Sequence, residues 1–131
     1  MIAASTTARR SARTSRAMKA LSDIPLAERD RQAVVEAAAI LRRHFPVDSV
    51  ILFGSKARGS DDRKSDIDLL VLTSRPLSAA ERDAMIDSLF DVQLQRNVVI
   101  SLLITSSQQW EAGPYRVLPI RGEIERDGIA A

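Results

Sequence analysis

The chain has no cysteine and a single histidine, His44, in 131 residues. Disulfides, thiolate-held zinc and histidine-rich metal centres are therefore excluded, and a Ser-His-Asp triad has one histidine to draw on. A metal, if bound, must be held by carboxylates and other oxygens, which points to Mg²⁺, Mn²⁺ or Ca²⁺. Aromatic residues make up 4%, too few for a platform on which single-stranded nucleic acid stacks. No apolar run approaches the roughly 18 residues of a membrane span, and the N-terminus lacks the apolar core of a secretory signal. These absences describe a cytoplasmic protein. Its length fits one domain, since most hold about 100–150 residues.

Charge of one sign is missing from the N-terminus. Arg9, Arg10, Arg13, Arg16 and Lys19 precede the first acid, Asp23. Removing those five from the 19 basic residues leaves 14 against 17 acids, so the net +2 belongs to a tail and the body is mildly acidic. A nucleic-acid-binding domain usually carries its basic surface on the folded body, so this distribution argues against nucleic acid as the main partner. Residues 1–17, rich in Ser, Thr, Ala and Arg, bury too little to offset their ordering entropy and read as disordered. They resemble a transit peptide in composition, although a solvated extension is the simpler reading. Residues 1–20 are thus expected to be a basic tail and residues 21–131 one domain.

The body divides by periodicity. Ser22 or Asp23 ahead of Pro25 opens a helix, and Val34, Ala37, Ala38, Leu41 and Phe45 recur on one face, with Arg29, Arg31, Glu36, Arg42 and Arg43 solvated. Pro46 ends that helix, and His44 is placed to cap its last carbonyls. Residues 49–53 (SVILF) and 66–73 (DIDLLVLT) read as strands. Ser78 and Glu81 form a capping box that opens a helix to about Gln95, with Met85, Ile86, Leu89 and Val92 inward. Residues 98–105 (VVISLLIT) form a third strand, and Ser106 to Gln109 begin a short helix carrying Trp110. Trp110 and Tyr115 are expected in a satellite cluster or a protein contact. Gly113-Pro114 breaks that helix, and the remainder reads as irregular to helical. The order is that of an α/β sandwich, helices against a small sheet.

The chemistry lies in residues 50–72. A buried strand runs into Gly54-Ser55, where glycine permits unusual backbone angles and close approach of a ligand. If the chain then turns helically, the amides after Gly54 and the Ser55 hydroxyl form a phosphate grip, with Lys56 and Arg58 as nearby cations. Twelve residues on, Asp66 and Asp68 stand two apart at a strand entrance and so share a face. Two adjoining carboxylates repel, and a divalent cation such as Mg²⁺ resolves that conflict while bridging to phosphates. This is the minimum for metal-assisted phosphoryl or nucleotidyl transfer.

Gly54-Ser55-Lys56-Ala57-Arg58-Gly59 followed by Ser65-Asp66-Ile67-Asp68-Leu69-Leu70-Val71 resembles the minimal nucleotidyltransferase family of the DNA polymerase beta-like superfamily. The resemblance implies an α/β (α+β) fold with a small mixed β-sheet flanked by helices. It implies that Gly54 and Ser55 hold the triphosphate of a nucleotide, ATP for preference, and that Asp66 and Asp68 coordinate Mg²⁺ or Mn²⁺. Lys56 and Arg58 join the nucleotide site, or Arg58 pairs with a local carboxylate; Ser65 contacts the nucleotide or the loop backbone. Nucleoside monophosphate transfer to a hydroxyl of a protein or small molecule follows, as does a toxin-antitoxin pairing with a helical HEPN-type partner. Homo-oligomerisation is left open.

One position departs from that pattern. Active members carry a third carboxylate on the neighbouring strand, and here Ser101 stands in its place. A hydroxyl is no base near pH 7; its own expected role is a hydrogen bond to the sheet. Glu123, Glu125 or Asp127 supplies a replacement only if the C-terminal segment folds over the site. The alternative is a catalytically weakened nucleotide-binding or partner-docking module.

Overall fold

The computed structural model describes residues 18–59 and 64–131; the expected tail, residues 1–17, lies outside them. Lys19 and Ala20, read as part of that tail, form a short strand β1 (Lys19–Ala20). A 3₁₀ turn (Leu21–Asp23) follows, then the long helix α1 (Glu28–His44). Arg31, expected in solvent, donates to the carbonyls of Leu21 and Ile24 and so ties that turn to α1. The far end of α1 is closed by the Phe45 amide bonding the Leu41 carbonyl, rather than by His44.

Strand β2 (Val47–Phe53) leads into the one-turn helix α2 (Ser55–Arg58), and β3 (Ile67–Thr73) pairs antiparallel with β2. The expected single helix from Ser78 is two: α3 (Ala79–Asp87) and α4 (Phe90–Arg96). The Ser78–Glu81 capping box forms as expected. At the break the Ser88 hydroxyl donates to the Met85 carbonyl at 2.6 Å, and the Leu89 amide takes the shorter-range carbonyl of Ile86. Met85, Leu89 and Val92 are buried at spacings of four and three. Ile86, one residue off that stripe, is 52% exposed rather than inward.

The two helices carry the chain over to β4 (Ile100–Ser106), parallel to β3, as parallel strands require a crossover. Helix α5 (Ser107–Ala112), a 3₁₀ turn (Pro114–Val117), α6 (Pro119–Asp127) and β5 (Ile129–Ala130) complete the chain. The mixed sheet has the order β1-β5-β2-β3-β4.

Strand alternation sends successive side chains to opposite faces. Val50, Leu52, Ile67, Leu69 and Val71 pack with Ala33, Val34, Ala37, Ala38 and Leu41 of α1 and with Met85, Leu89 and Val92. Each buried Val, Leu, Ile or Met among them contributes roughly 1.5–3 kcal/mol, and each alanine less. Ile51, Leu70 and Leu72 face the other way, against Trp110, Ile124 and Tyr115, so the expected satellite cluster is the cover of the second sheet face. Asp68 shares the parity of Leu70 and Leu72, and lies where that cover gives out. Among the described residues no helix is long and apolar enough to cross a membrane.

Candidate active site

β2 ends in Gly54, whose φ of +79° and ψ of −158° suit glycine alone. The chain then makes the expected helical turn, α2, closed by Gly59 in the left-handed conformation. A Cβ on Gly54 would lie 2.4 Å from Oδ2 of Asp68. The bare backbone at Gly54 thus lets the Asp68 carboxylate lie directly against the turn. Two segments that are twelve residues apart in sequence meet here because Phe53 pairs with Asp68 across β2 and β3.

Asp68 in turn pairs with Ser101 across β3 and β4. Ser101 donates to Oδ2 of Asp66 at 3.3 Å, so its hydroxyl serves the carboxylate pair and not the sheet backbone. Partial burial pushes the Asp68 carboxyl above its usual range, and the negative charges of Asp66 and Glu123 push the same way; Arg58 opposes them. Crowded carboxylates of this kind suit a hard divalent cation, so the residues present fit one. Asp66 and Asp68 are the pair that would hold it. Among the described residues, however, no three His, Cys, Asp or Glu side chains are gathered closely enough to cage a metal ion.

The two cations divide. Arg58 reaches across to Glu123 of α6 with Nη1 to Oε1 at 3.0 Å, so the carboxylate it pairs with comes from 65 residues away. Lys56 points inward: it is 1% exposed, and its Nζ donates to Oδ2 of Asp30 at 2.8 Å. It therefore does not face the open side of the turn, as a nucleotide ligand must. Burying a lysine needs a partner already in place, and α1 supplies it. Ser65 stands in the turn just ahead of Asp66 and is partly exposed.

Of the three acids expected near the site if the C-terminal segment folds over it, Glu123 arrives. Glu125 pairs with Arg121 and Asp127 with Arg126. Asp30 is the residue that sequence reasoning passed over, although a signal was present. It sits at spacings of four, three and four with Val34, Ala37 and Leu41 on the buried stripe of α1, where a charge requires a partner.

Residues 34–123 match the nucleotidyltransferase domain family, a stretch that runs from α1 to Glu123 and contains Gly54, Ser55, Asp66, Asp68 and Ser101 but not Asp30. The chain belongs to the nucleotidyltransferase domain family. It is similar to a Methanocaldococcus jannaschii protein whose name proposes protein adenylyltransferase activity. The two are 38% identical over 58 residues, which is 44% of this chain and 59% of the relative. The nucleotidyltransferase domain also shares its fold with a toxin-antitoxin crystal structure containing AMP-PNP. That match has a TM-score of 0.53 and 18% identity, and covers 76% of this chain and 69% of the other.

Proposed function

We propose that this domain transfers AMP from ATP to a hydroxyl of a protein or small molecule, with Mg²⁺ held by Asp66 and Asp68. The observation that carries this reading is the contact between the Gly54 turn and the Asp68 carboxylate, which brings a phosphate grip and a carboxylate pair to one point. The Ser55 hydroxyl and the turn's backbone N–H groups orient the triphosphate. Arg58, within that turn, and Ser65, just ahead of Asp66, are the further candidates for contact with the nucleotide. When bound, the divalent cation neutralises phosphate charge and stabilises the departing pyrophosphate. The acceptor oxygen forms a bond to the α-phosphorus as the bond to the β-phosphate oxygen breaks. The hydroxyl proton passes to solvent or to the carboxylate pair. Similarity to a proposed adenylyltransferase and to a toxin-antitoxin structure with AMP-PNP supports adenine as the base. The relative's name favours a protein acceptor, and the resemblance to minimal nucleotidyltransferases makes a helical HEPN-type toxin the candidate partner.

A second reading has its own observation. Ser101 occupies the register position opposite Asp68, and no third carboxylate completes the pair among the described residues. On this reading the domain binds nucleotide and docks a partner without transferring anything. The test is incubation with α-labelled ATP, Mg²⁺ and candidate acceptors, comparing wild type with D66A/D68A. Label that moves to an acceptor only with wild type supports the enzyme. Metal-dependent nucleotide binding without any label transfer leaves the docking module.

A further inference from the structure

We infer that the buried Asp30–Lys56 ion pair positions the nucleotide turn, acting through Ser55 rather than by touching nucleotide; the inference rests on the nucleotide-binding reading above. Helix α2 is four residues long, and a single helical turn has no stability of its own. Its C-terminal end is fastened by Gly59, whose amide bonds carbonyls of Lys56 and Ser55. Its inner side is fastened by Lys56, immediately after Ser55, through the 2.8 Å bond to Asp30.

Asp30 is itself held. Its Oδ1 accepts from Nε and Nη2 of Arg29, both at 3.2 Å, and it lies in the first turn of α1, where a carboxylate is favoured by the helix dipole. The anchor thus belongs to the longest helix of the fold, packed on the main core.

A buried ion pair is a poor way to gain stability, because desolvation offsets most of the attraction; apolar replacements are often as stable or more so. What the pair supplies and apolar packing does not is direction. Both charges are 1% exposed, so a slip of α2 along α1 by an ångström or two would strand a charge in the interior. That restriction fixes where Ser55 and the Gly54 turn stand relative to Asp68.

The experiment compares the full chain with D30L/K56M, measuring melting temperature, AMP-PNP·Mg²⁺ affinity by calorimetry, and hydrogen exchange at the α2 amides. The expected result is an unchanged or higher melting temperature, nucleotide affinity lower by about tenfold, and faster exchange confined to α2. If D30L/K56M does not fold, D30N/K56Q replaces it, with the same expectations for affinity and exchange. A folded pair variant with wild-type affinity and wild-type exchange at α2 overturns the inference. If the wild type binds no nucleotide, the functional reading fails instead. Exchange at α2 then decides the inference alone, acceleration supporting it and no change overturning it.

Discussion

Gly54→Ala should separate folding from function at the turn. At φ +79° and ψ −158° a residue with a Cβ is strained by about 1–3 kcal/mol. The added methyl would also sit 2.4 Å from Oδ2 of Asp68, well under the 3.0 Å that real contacts respect. The carboxylate is the mobile partner, so Asp68 rotates away, at about 0.5–1.5 kcal/mol for an off-rotamer side chain. Together these give a loss of about 1.5–4.5 kcal/mol, which for a domain of this size lowers the melting temperature by about 6–18 °C.

Gly59→Ala is the matched control. Gly59 also has positive φ, +74°, yet nothing lies within 4 Å of its Cβ position. Only the left-handed backbone penalty of about 1–2 kcal/mol applies, a fall of about 4–8 °C. The two variants should differ more in ligand binding than in stability. G54A displaces the Asp68 carboxylate and should lose Mg²⁺-dependent AMP-PNP binding by calorimetry, whereas G59A should retain it. If G54A melts with G59A and binds AMP-PNP·Mg²⁺ as wild type does, then Asp68 is not set by the bare backbone at Gly54 and the reasoning is wrong.

Two further variants probe the carboxylates. The raised pKa of Asp68 means the fold binds its proton more tightly than the unfolded chain does. Its ionisation therefore weakens the metal-free fold as pH rises through that raised value. D68N in EDTA should melt higher than wild type at pH 7, with the gap closing as pH falls below the ordinary value of 3.8; a gap that persists there would show a packing effect instead. S101D places a third acid opposite Asp68, costing up to about 1 kcal/mol without metal as a like-charge cross-strand pair. Mg²⁺ should then raise its melting temperature more than it raises that of wild type; an equal or smaller rise would show that position 101 does not face the cation.

Much of this was legible because it is written in short periods. The Val34–Leu41 stripe of α1, the apolar strand Leu69–Leu72 and the capping box at Ser78 each declare themselves within a dozen residues. The closeness of Gly54 to Asp68 was legible too, since a strand, a glycine and an alternating acid pair leave few arrangements. What could not be read was set by long-range packing. β1 and β5 are two residues each, too short to show any period. Pro119 and Gly122 do not break α6, since proline suits a first helical turn and the glycine is exposed. Ile86 and Lys56 were misdirected for complementary reasons. Ile86 lies one position off the buried stripe of Met85, Leu89 and Val92, and an acid hidden on an apolar stripe draws Lys56 in.

Several costly features of this fold gather in one place. Gly54 holds a backbone conformation that other residues avoid, Asp66 and Asp68 raise each other's energy, and Asp30 and Lys56 are charges taken wholly out of water. Each is a poor choice for stability. Scattered, they would be accidents; clustered around a single turn, they mark where stability has been given up for geometry. Ser101 fits that logic from the other side. Its hydroxyl donates to Asp66 and adds no third negative charge to the pair, where an acid would add a repulsion and another cation ligand. A chain that had lost all use for the cation would be expected to relieve the remaining repulsion too. Asp66 and Asp68 remain, packed against a glycine that still makes room for them.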